Sequence, residues 1–492
     1  MNSPTDSPRS GMPDLEGQAA RGGLWAAGET ALVRGLELLR YVAIARLLVP
    51  SQIGLFTFGI ITLSVVKQFS NLGIDAAIIA QDGDIDRQLD AAFSLQIVRS
   101  LVLAGLLYVA APIPAAVFGD ESVVRLVRLI AIIPLIDTVE NPATVVFEKE
   151  LNFRRRSLFR ISGVLANAAV SIGLAYRFRS VDALVAGVIA GAAVHTVVSH
   201  LLTDHSPFPS FDIEQMRTLF DYGKWLTGSS IVSWIYREGD DALVGAVVGS
   251  AGLAYYRSAF QFGQAPQSEL TGVVSEVAFP TYAQVKDDAH ALLVGYRRTL
   301  SVAVTAVFPA AAGTALVAPA FVPVVLGPGW EPTIRPLRII ALAAVGHAVA
   351  ATAGSLWQAL DRPDLSTKTQ TLSMVVLAVT AVPATLEYGV VGTATAVTVT
   401  AFVVAPVRIL LVARLLDTSI VSLLTPVAGP ALATLSMAAA VAPTVTALPT
   451  TLLGLLGSIG VGVVAYGVAI LVLDVTRLDT LAPVRELLDA LT

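Results

Sequence analysis

The sequence of 492 residues contains no cysteine, which excludes disulfide bridges, thiolate metal sites and cysteine nucleophiles. Charged residues are also scarce, at 14%, whereas soluble domains have about 25%. The net charge of −5 gives no indication of nucleic-acid binding. Short segments of alternating polar and apolar residues, which would indicate a membrane β-barrel, are missing too. These absences favour a helical membrane protein.

Catalytic motifs are missing as well. The sequence has no nucleophile elbow, no His/Glu group at metal-ligand spacing and no phosphate-binding Gly-Lys-Ser loop. We therefore expect no enzyme activity, no metal site and no bound cofactor, and ATP is excluded as the direct energy source. The ions that we expect to be coupled to transport are H⁺ or Na⁺.

What the sequence does contain is a series of long apolar stretches. Hydrophobic residues make up 55% of the chain, and about fourteen stretches approach the length that a helix needs to cross a bilayer. We predict an all-α polytopic membrane protein. The predicted spans are Trp25–Leu48, Ile53–Ala80, Leu89–Ala111, Val123–Phe147, Leu158–Tyr176, Val181–Leu202, Leu219–Val248, Leu253–Ala278, Leu292–Leu316, Ile334–Leu360, Leu372–Leu386, Val390–Leu416, Leu424–Ala447 and Leu452–Leu473.

The distribution of basic residues predicts the orientation. The first 23 residues are polar and lack the apolar core of a signal peptide, so we expect the first span to begin at Trp25. The positive-inside rule places the connection after the fourth span in the cytoplasm, and the even number of spans places both termini there. We expect the protein in the plasma membrane, with this connection contacting lipid headgroups. The basic residues of the connection are Lys149, Arg154, Arg155, Arg156 and Arg160.

An internal repeat predicts two lobes. Gly23-Leu-Trp25 opens one charged span and Gly223-Lys-Trp225 opens another, and each span ends in a short turn. Because each half holds six spans, the repeat is parallel, with its pseudo-twofold axis along the membrane normal. The predicted divisions are a cytoplasmic tail (1–23), an N-lobe (24–204), a linker with a C-lobe (205–416), and two appended spans with the C-terminus (417–492).

Ionisable side chains lie inside four of the predicted spans. A charge that faces lipid costs about 3 kcal/mol or more, so such groups face a bundle interior or a watery cavity. Two clusters about two hundred residues apart predict two halves around one polar cavity, as in a transporter. The candidate substrate-binding residues are Arg34, Arg40, Lys67, Arg237 and Arg257. The candidate coupling or gating residues are Glu29, Glu37, Asp240 and Asp241.

Helical spacing predicts how the charges of the first span are arranged. Glu29, Glu37 and Arg40 share one face of that span. Glu37 and Arg40 are spaced i,i+3 and are predicted to pair, while Arg34 lies off this face. The alternative interpretation is that these charges pair only within their own helix.

Two further features concern the other charged spans. Counted from the two tryptophans, Glu37 corresponds to Arg237, and Arg40 corresponds to Asp240, so ion pairs that change partners would be one route to alternating access. Lys67 and Arg257 have no acidic residue within four positions on their own helices. These two residues are therefore the stronger candidates for binding an anion.

Five segments are similar to segments of a known family, and they are Ala45–Phe56, Phe69–Ala77, Val277–Tyr282, Leu326–Pro332 and Gln358–Asp364. Together they resemble the polysaccharide transporters of the multidrug/oligosaccharidyl-lipid/polysaccharide exporter superfamily. The likeness extends over about residues 22 to 364, and the order and spacing of the segments are more specific than any single one.

The resemblance implies a V-shaped pair of six-helix lobes around a cavity lined by spans one, two, seven and eight. It also implies transport of a polyprenyl-phosphate-linked oligosaccharide from the inner to the outer leaflet. The implied partners are this substrate, membrane lipids and glycan-assembly proteins, and the implied transport unit is a monomer. The numerous acidic residues of this sequence argue against a purely cationic cavity.

Two alternatives remain open at the level of sequence. The first is a drug or cation antiporter of the same superfamily, in which Glu37, Asp240 and Asp241 would bind H⁺ or Na⁺. The second is a membrane-embedded glycosyltransferase or polysaccharide polymerase. The second alternative requires a large catalytic loop outside the membrane, and the predicted outer loops are short.

Overall fold

The structure is a computed structural model that describes residues 13–70, 74–80, 84–150, 152–210, 212–213, 216, 234 and 237–474. Within these ranges every regular element is helical. In the first part of the chain the α-helices are α1 (Pro13–Leu47), α2 (Pro50–Phe69), α3 (Ile74–Ala80), α4 (Ile85–Ala110), α5 (Pro112–Phe118), α6 (Ser122–Ile130), α7 (Ile132–Asp137), α8 (Val146–Lys149), α9 (Phe153–Phe178) and α10 (Asp182–Leu202).

The remaining helices follow residue 236. They are α11 (residues 237–248), α12 (Ser250–Gln284), α13 (Ala289–Phe321), α14 (Ile334–Ala359), α15 (Pro363–Leu415), α16 (Ile420–Ala447) and α17 (Leu452–Leu473). Short 3₁₀ helices at Pro142–Val145 and Glu331–Thr333 and a π turn at Val322–Leu326 complete the regular structure of the described residues.

Most of the predicted spans correspond to long apolar helices. In the described residues, nine helices are long and apolar enough to cross a membrane. One of them, α15, contains two helices that meet at Gly389, where φ is +58°. A Cβ atom at Gly392 would overlap the carbonyl oxygen of Ala384, so the tight reversal requires glycine there. The predicted break between Leu386 and Val390 lies at this reversal.

The fourth predicted span is interrupted, contrary to the prediction of one continuous helix. Residues 123–147 form α6, α7, the 3₁₀ turn and α8 instead. Pro134 has no N–H to bond the carbonyl of Ile130, and the break between α6 and α7 falls at Ala131. A second break follows Asn141, whose Oδ1 accepts a hydrogen bond from the N–H of Ala143 at 2.9 Å, just before the turn that starts at Pro142.

The described chain divides into two compact units, Met1–Gly239 and Asp240–Thr492. Gly223 and Trp225, from which one copy of the predicted repeat is counted, lie outside the described residues, as does most of the predicted seventh span. The predicted lobe boundary near residue 204 therefore stays a prediction.

In the first unit, close helix packing centres on α9 and α10. A Cβ atom at Gly191 would lie 2.9 Å from the carbonyl oxygen of Gly163, and one at Gly187 would lie 2.6 Å from the Cβ of Ser171. Glycines spaced four apart let two membrane helices approach closely. The N-terminal helix α1 packs along α9 on the opposite side of this pair.

In the second unit, α14 lies between α12, α13 and α15. The largest buried side chains there include Tyr282, Tyr296 and Trp357, which belong to one apolar cluster. The helices α16 and α17 pack on each other and on α13. In this unit, therefore, the core is apolar where α12–α15 meet.

Candidate functional site: a polar cavity in the first unit

The first unit contains a polar cavity of about 670 Å³. Its wall is formed by side chains from α2, α4, α7, α9 and α10 and from the turns between α7 and α9. The charged and amide residues on the wall are Lys67, Gln96, Arg99, Asp137, Glu140, Asn141, Glu148, Arg156, Arg160, Asn167 and His195. Basic and acidic groups are thus mixed on one surface inside a unit built from membrane helices.

Lys67 is on the wall of this cavity and is paired with an acidic residue. Its Nζ lies 2.7 Å from Oδ2 of Asp137, and both side chains are partly exposed. Gln96 of α4 donates hydrogen bonds to the backbone oxygens of Asp137 and Glu140, at 2.6 and 2.9 Å. The amide therefore fixes the turn that carries both carboxylates. The sequence places no acid near Lys67 on its own helix, and the structure supplies one from α7.

A histidine and a second carboxylate lie across the cavity. His195 of α10 is 3.8 Å from Oε1 of Glu140. The imidazole stacks on the ring of Phe159, with ring centroids 3.6 Å apart. Phe159 itself is buried, so the stack holds the imidazole against α9 while its edge faces Glu140.

Glu29 is the most deeply buried of the candidate charges. Its side chain is 2% exposed, and its two carboxylate oxygens accept hydrogen bonds of 2.8 Å from Ser157 Oγ and Arg160 Nη1. These bonds fasten α1 to the start of α9. Because Arg160 also lines the cavity, the buried carboxylate of Glu29 holds one of the cationic groups of the cavity wall in place.

The rest of the charges on α1 differ from the predicted arrangement. Glu37 lies 3.5 Å from Arg34, and both of these side chains are well exposed. The prediction that Glu37 pairs with Arg40 is wrong, because spacing alone cannot choose between two arginines that are each three positions from one glutamate. Arg40 is half-buried.

In the second unit, two acidic residues near the start of α11 bond to the second turn of α12. The hydroxyl of Tyr256 donates to Asp240 Oδ2, and Arg257 Nη1 lies 2.8 Å from Asp241 Oδ2. Both pairs are sixteen positions apart, so together they close the hairpin whose turn is at Gly249. Arg257 has no acidic neighbour on its own helix, and its partner comes from the preceding helix. Arg237 is exposed.

The basic cluster before and within α9 is held mainly by internal contacts. Lys149 Nζ donates to the backbone oxygen of Ile78 at 3.0 Å. Arg156 pairs with Glu148 at 3.0 Å, and Arg155 pairs with Asp204 at 3.1 Å. These contacts connect α8 to α3, and they connect α9 to α8 and to the segment that follows α10.

That segment, residues 203–210, is the described part of the predicted linker. The two ring nitrogens of His205 lie 3.1 Å from carboxylate oxygens of Asp86 and Asp90. The N–H of Phe208 also donates to Asp90, at 3.0 Å. Asn141 Nδ2 donates to Thr203 Oγ1 and to the backbone oxygen of His205. The linker is thereby attached to α4 and to the turn after α7.

Reasoning from the sequence missed several residues of the cavity. Arg99, Asp137 and Glu140 are not among the candidate residues, and Arg160 is predicted only as part of the basic connection that sets the orientation. The available signal was the i,i+3 spacing of Gln96 and Arg99 and of Asp137 and Glu140, which places each pair on one helix face. Among the described residues, no group of three His, Asp or Glu side chains is arranged to hold a metal ion.

Comparison with known proteins identifies the family. Residues 43–335 match a family described as polysaccharide biosynthesis protein. The lipopolysaccharide biosynthesis protein WzxC of Escherichia coli is 23% identical over 356 residues, which is 72% of each chain. The teichuronic acid biosynthesis protein TuaB of Bacillus subtilis is 25% identical over 361 residues, 72% of this chain and 74% of that one.

The fold is that of a solved membrane transporter. A structure of the lipid II flippase MurJ in an inward closed conformation superposes with a TM-score of 0.76, at 15% sequence identity. The match covers 92% of this chain and 100% of that one. This likeness confirms the predicted fold class, an all-α multi-pass membrane protein.

Proposed function

Because this chain belongs to the family of polysaccharide biosynthesis proteins, we propose that it moves a lipid-linked oligosaccharide across a membrane by alternating access. The observation that carries the proposal is the cavity of about 670 Å³ lined by charged and amide groups within a unit of apolar helices. Ionisable groups inside a membrane protein mark a polar pathway. The names of WzxC and TuaB, which refer to two cell-surface polymers, and the flippase MurJ agree with this proposal.

The physical chemistry of such a substrate matches the cavity. Sugar hydroxyls and phosphate oxygens lose hydrogen bonds to water in hydrocarbon, and this loss costs several kcal/mol for each unsatisfied group. The prenyl chain can stay in the lipid throughout. A protein that moves the molecule therefore needs polar groups for the head only. Arginine and lysine provide charge-assisted hydrogen bonds to phosphate.

We propose roles for the charges on this basis. The proposed substrate-binding residues are Arg34, Arg40, Lys67, Arg237 and Arg257. The proposed coupling or gating residues, which would respond to H⁺ or Na⁺, are Glu29, Glu37, Asp240 and Asp241. Because Arg257 contacts Asp241, a phosphate bound at this arginine would have to replace that carboxylate.

The proposal also includes a location and a working unit. We propose that the protein lies in the cytoplasmic membrane with both termini in the cytoplasm, acts as a monomer, and has no catalytic activity. Its partners would be the lipid-linked oligosaccharide, the surrounding lipids and proteins of glycan assembly.

The test is complementation of a bacterial strain that lacks its own flippase and accumulates a lipid-linked glycan. Expression of this protein should restore the surface polysaccharide and reduce the accumulated precursor. The Arg257→Ala variant should restore much less at equal protein abundance. As a matched control, Arg335→Ala replaces an arginine outside the proposed set. If the native protein leaves the precursor inside and instead lowers susceptibility to cationic drugs, the antiporter alternative replaces the flippase.

A further inference from the structure

We infer that the cavity inside the first unit is the binding site for the saccharide of the transported molecule, and that it selects hydroxyl-rich, uncharged groups. This inference rests on the proposed function and adds to it a location and a ligand class. The polar wall residues at the centre of this inference are Lys67, Gln96, Arg99, Asp137, Glu140 and His195.

The cavity wall carries charges of both signs. Lys67, Arg99, Arg156 and Arg160 are positive, whereas Asp137, Glu140 and Glu148 are negative. A bare anion would meet three carboxylates, and a bare cation would meet four basic groups. Like charges repel strongly where water is partly excluded. A ligand without net charge avoids both penalties.

Charged groups of the wall already contact one another. Lys67 and Asp137 are 2.7 Å apart, and Arg156 and Glu148 are 3.0 Å apart. A charged ligand would have to break such pairs, and separating a partly buried pair leaves each partner without its counterion. A hydroxyl can bond to the pair while it remains intact, since an ammonium has three donors and a carboxylate has about four acceptor positions.

The cavity wall offers both hydrogen-bond donors and hydrogen-bond acceptors. Ammonium and guanidinium groups only donate, carboxylates only accept, and amides do both. A sugar hydroxyl donates once and accepts twice, so neighbouring hydroxyls on a ring can use adjacent groups of opposite kind. Lys67 donates and Asp137 accepts within 2.7 Å of each other. The two amide N–H groups of Gln96 bond to backbone oxygens, so this side chain offers its Oε1 as an acceptor.

Size and the apolar part of the wall agree with this ligand class. A cavity of about 670 Å³ lies within the range of roughly 300–1,000 Å³ typical of small-molecule sites. Leu103, Ile133 and Val188 provide apolar wall between the polar groups, and the C–H faces of pyranose rings can pack against such surfaces. A metal site is not favoured, because the described residues hold no cluster of three ligands.

The test uses the absence of cysteine from the chain. In the purified full-length protein, Ala192→Cys places a single thiol on the cavity wall. Its rate of modification by a small hydrophilic thiol reagent is measured with N-acetylglucosamine, glucose, sodium phosphate, sodium chloride or choline chloride. A sugar at about ten times its Kd should slow the reaction about tenfold by mass action. Ser206→Cys, an exposed position away from the cavity wall, should react at an unchanged rate.

A matched pair of variants then tests the wall itself. In the Ala192→Cys background, Glu140→Gln should weaken protection by the sugar severalfold, whereas Glu121→Gln, at an exposed position outside the cavity, should leave it unchanged. Size-exclusion chromatography checks that each variant is folded.

The outcomes separate this inference from the proposed function. Protection by phosphate alone would make the cavity an anion site, and protection by sodium alone would make it a cation site; either result overturns the inference. A thiol that reacts freely in the presence of every sugar does the same, even if complementation succeeds. Protection by sugar in a protein that fails to complement would keep the saccharide site and remove the flippase.

Discussion

At the residue scale, ionisable side chains of the membrane helices are paired between helices as well as along them. Lys67 and Arg257 have no acidic neighbour along their own helices, yet Asp137 and Asp241 reach them from adjacent helices. A prediction from one sequence sees only positions three or four residues away. Contacts such as Glu29 with Arg160, which are 131 positions apart, depend on how the helices pack.

The pairing of Lys67 with Asp137 gives a prediction that separates a structural role from binding. Lys67→Met alone should destabilise the protein, because it leaves Asp137 without its cation, and Asp137→Asn should compensate with a coupling of about 1–3 kcal/mol. The double variant should fold normally but still fail to transport, since the cation proposed to contact the substrate is gone. Thermal unfolding and the complementation assay measure the two effects.

A matched control for this cycle is the well exposed pair Arg125–Asp182, in which Arg125 Nη2 lies 2.9 Å from Asp182 Oδ1. Neutralising both of its partners should give a coupling of less than about 1 kcal/mol. A Lys67→Met/Asp137→Asn protein that transports as well as the native one would show that Lys67 only balances Asp137.

At the scale of the helix, the packing of α9 on α10 depends on glycine. Gly191→Ala should lower stability by about 1–3 kcal/mol, the usual cost of overpacking, because its new Cβ would meet a backbone oxygen that cannot move aside. Gly173→Ala, on α9 with no atom within 4 Å of its added Cβ, should be neutral or slightly stabilising. Thermal unfolding of both variants checks this, and equal midpoints would show that the two helices can separate at no cost.

The linker segment provides a second prediction at this scale. His205→Ala removes the contacts to both Asp86 and Asp90. We expect residues 203–210 to exchange amide hydrogens about tenfold faster, which corresponds to a loss of about 1.4 kcal/mol. Ser206→Ala, an exposed neighbour, should change nothing. Unaltered exchange in the His205 variant would mean that the contacts of Asn141, Phe208 and Arg155 are enough to hold the segment.

The helices themselves were largely predictable, and the exceptions have local causes. Long apolar stretches predicted α9, α10, α13 and α14 within a few residues of their ends. The break at Ala131 was missed because apolar residues on both sides of Pro134 hide the loss of one backbone hydrogen bond. The cavity could not be derived in the same way, since its wall combines side chains from several helices that are distant in the sequence.

At the scale of the whole molecule, the orientation in the membrane is the property that the sequence predicts and the fold leaves open. The basic residues near the start of α9 favour the cytoplasm for this end of the helix. Most of them contact other parts of the unit, but Arg154 is exposed. A thiol placed at Arg154 therefore reports which side of the membrane this end faces, without disturbing the internal pairs.

We expect Arg154→Cys in intact cells to resist a membrane-impermeant maleimide and to react after the cells are permeabilised. The reason is that moving this basic end across the membrane would carry several cations against the potential, at about 2.3 kcal/mol per charge for each 100 mV. Thr450→Cys, in the exposed turn between α16 and α17, should show the opposite pattern, because an odd number of predicted spans precedes it. The chain has no cysteine of its own, so each signal comes from one position. Labelling of residue 154 but not of residue 450 in intact cells would reverse the proposed orientation, and with it the side from which the cavity receives its substrate.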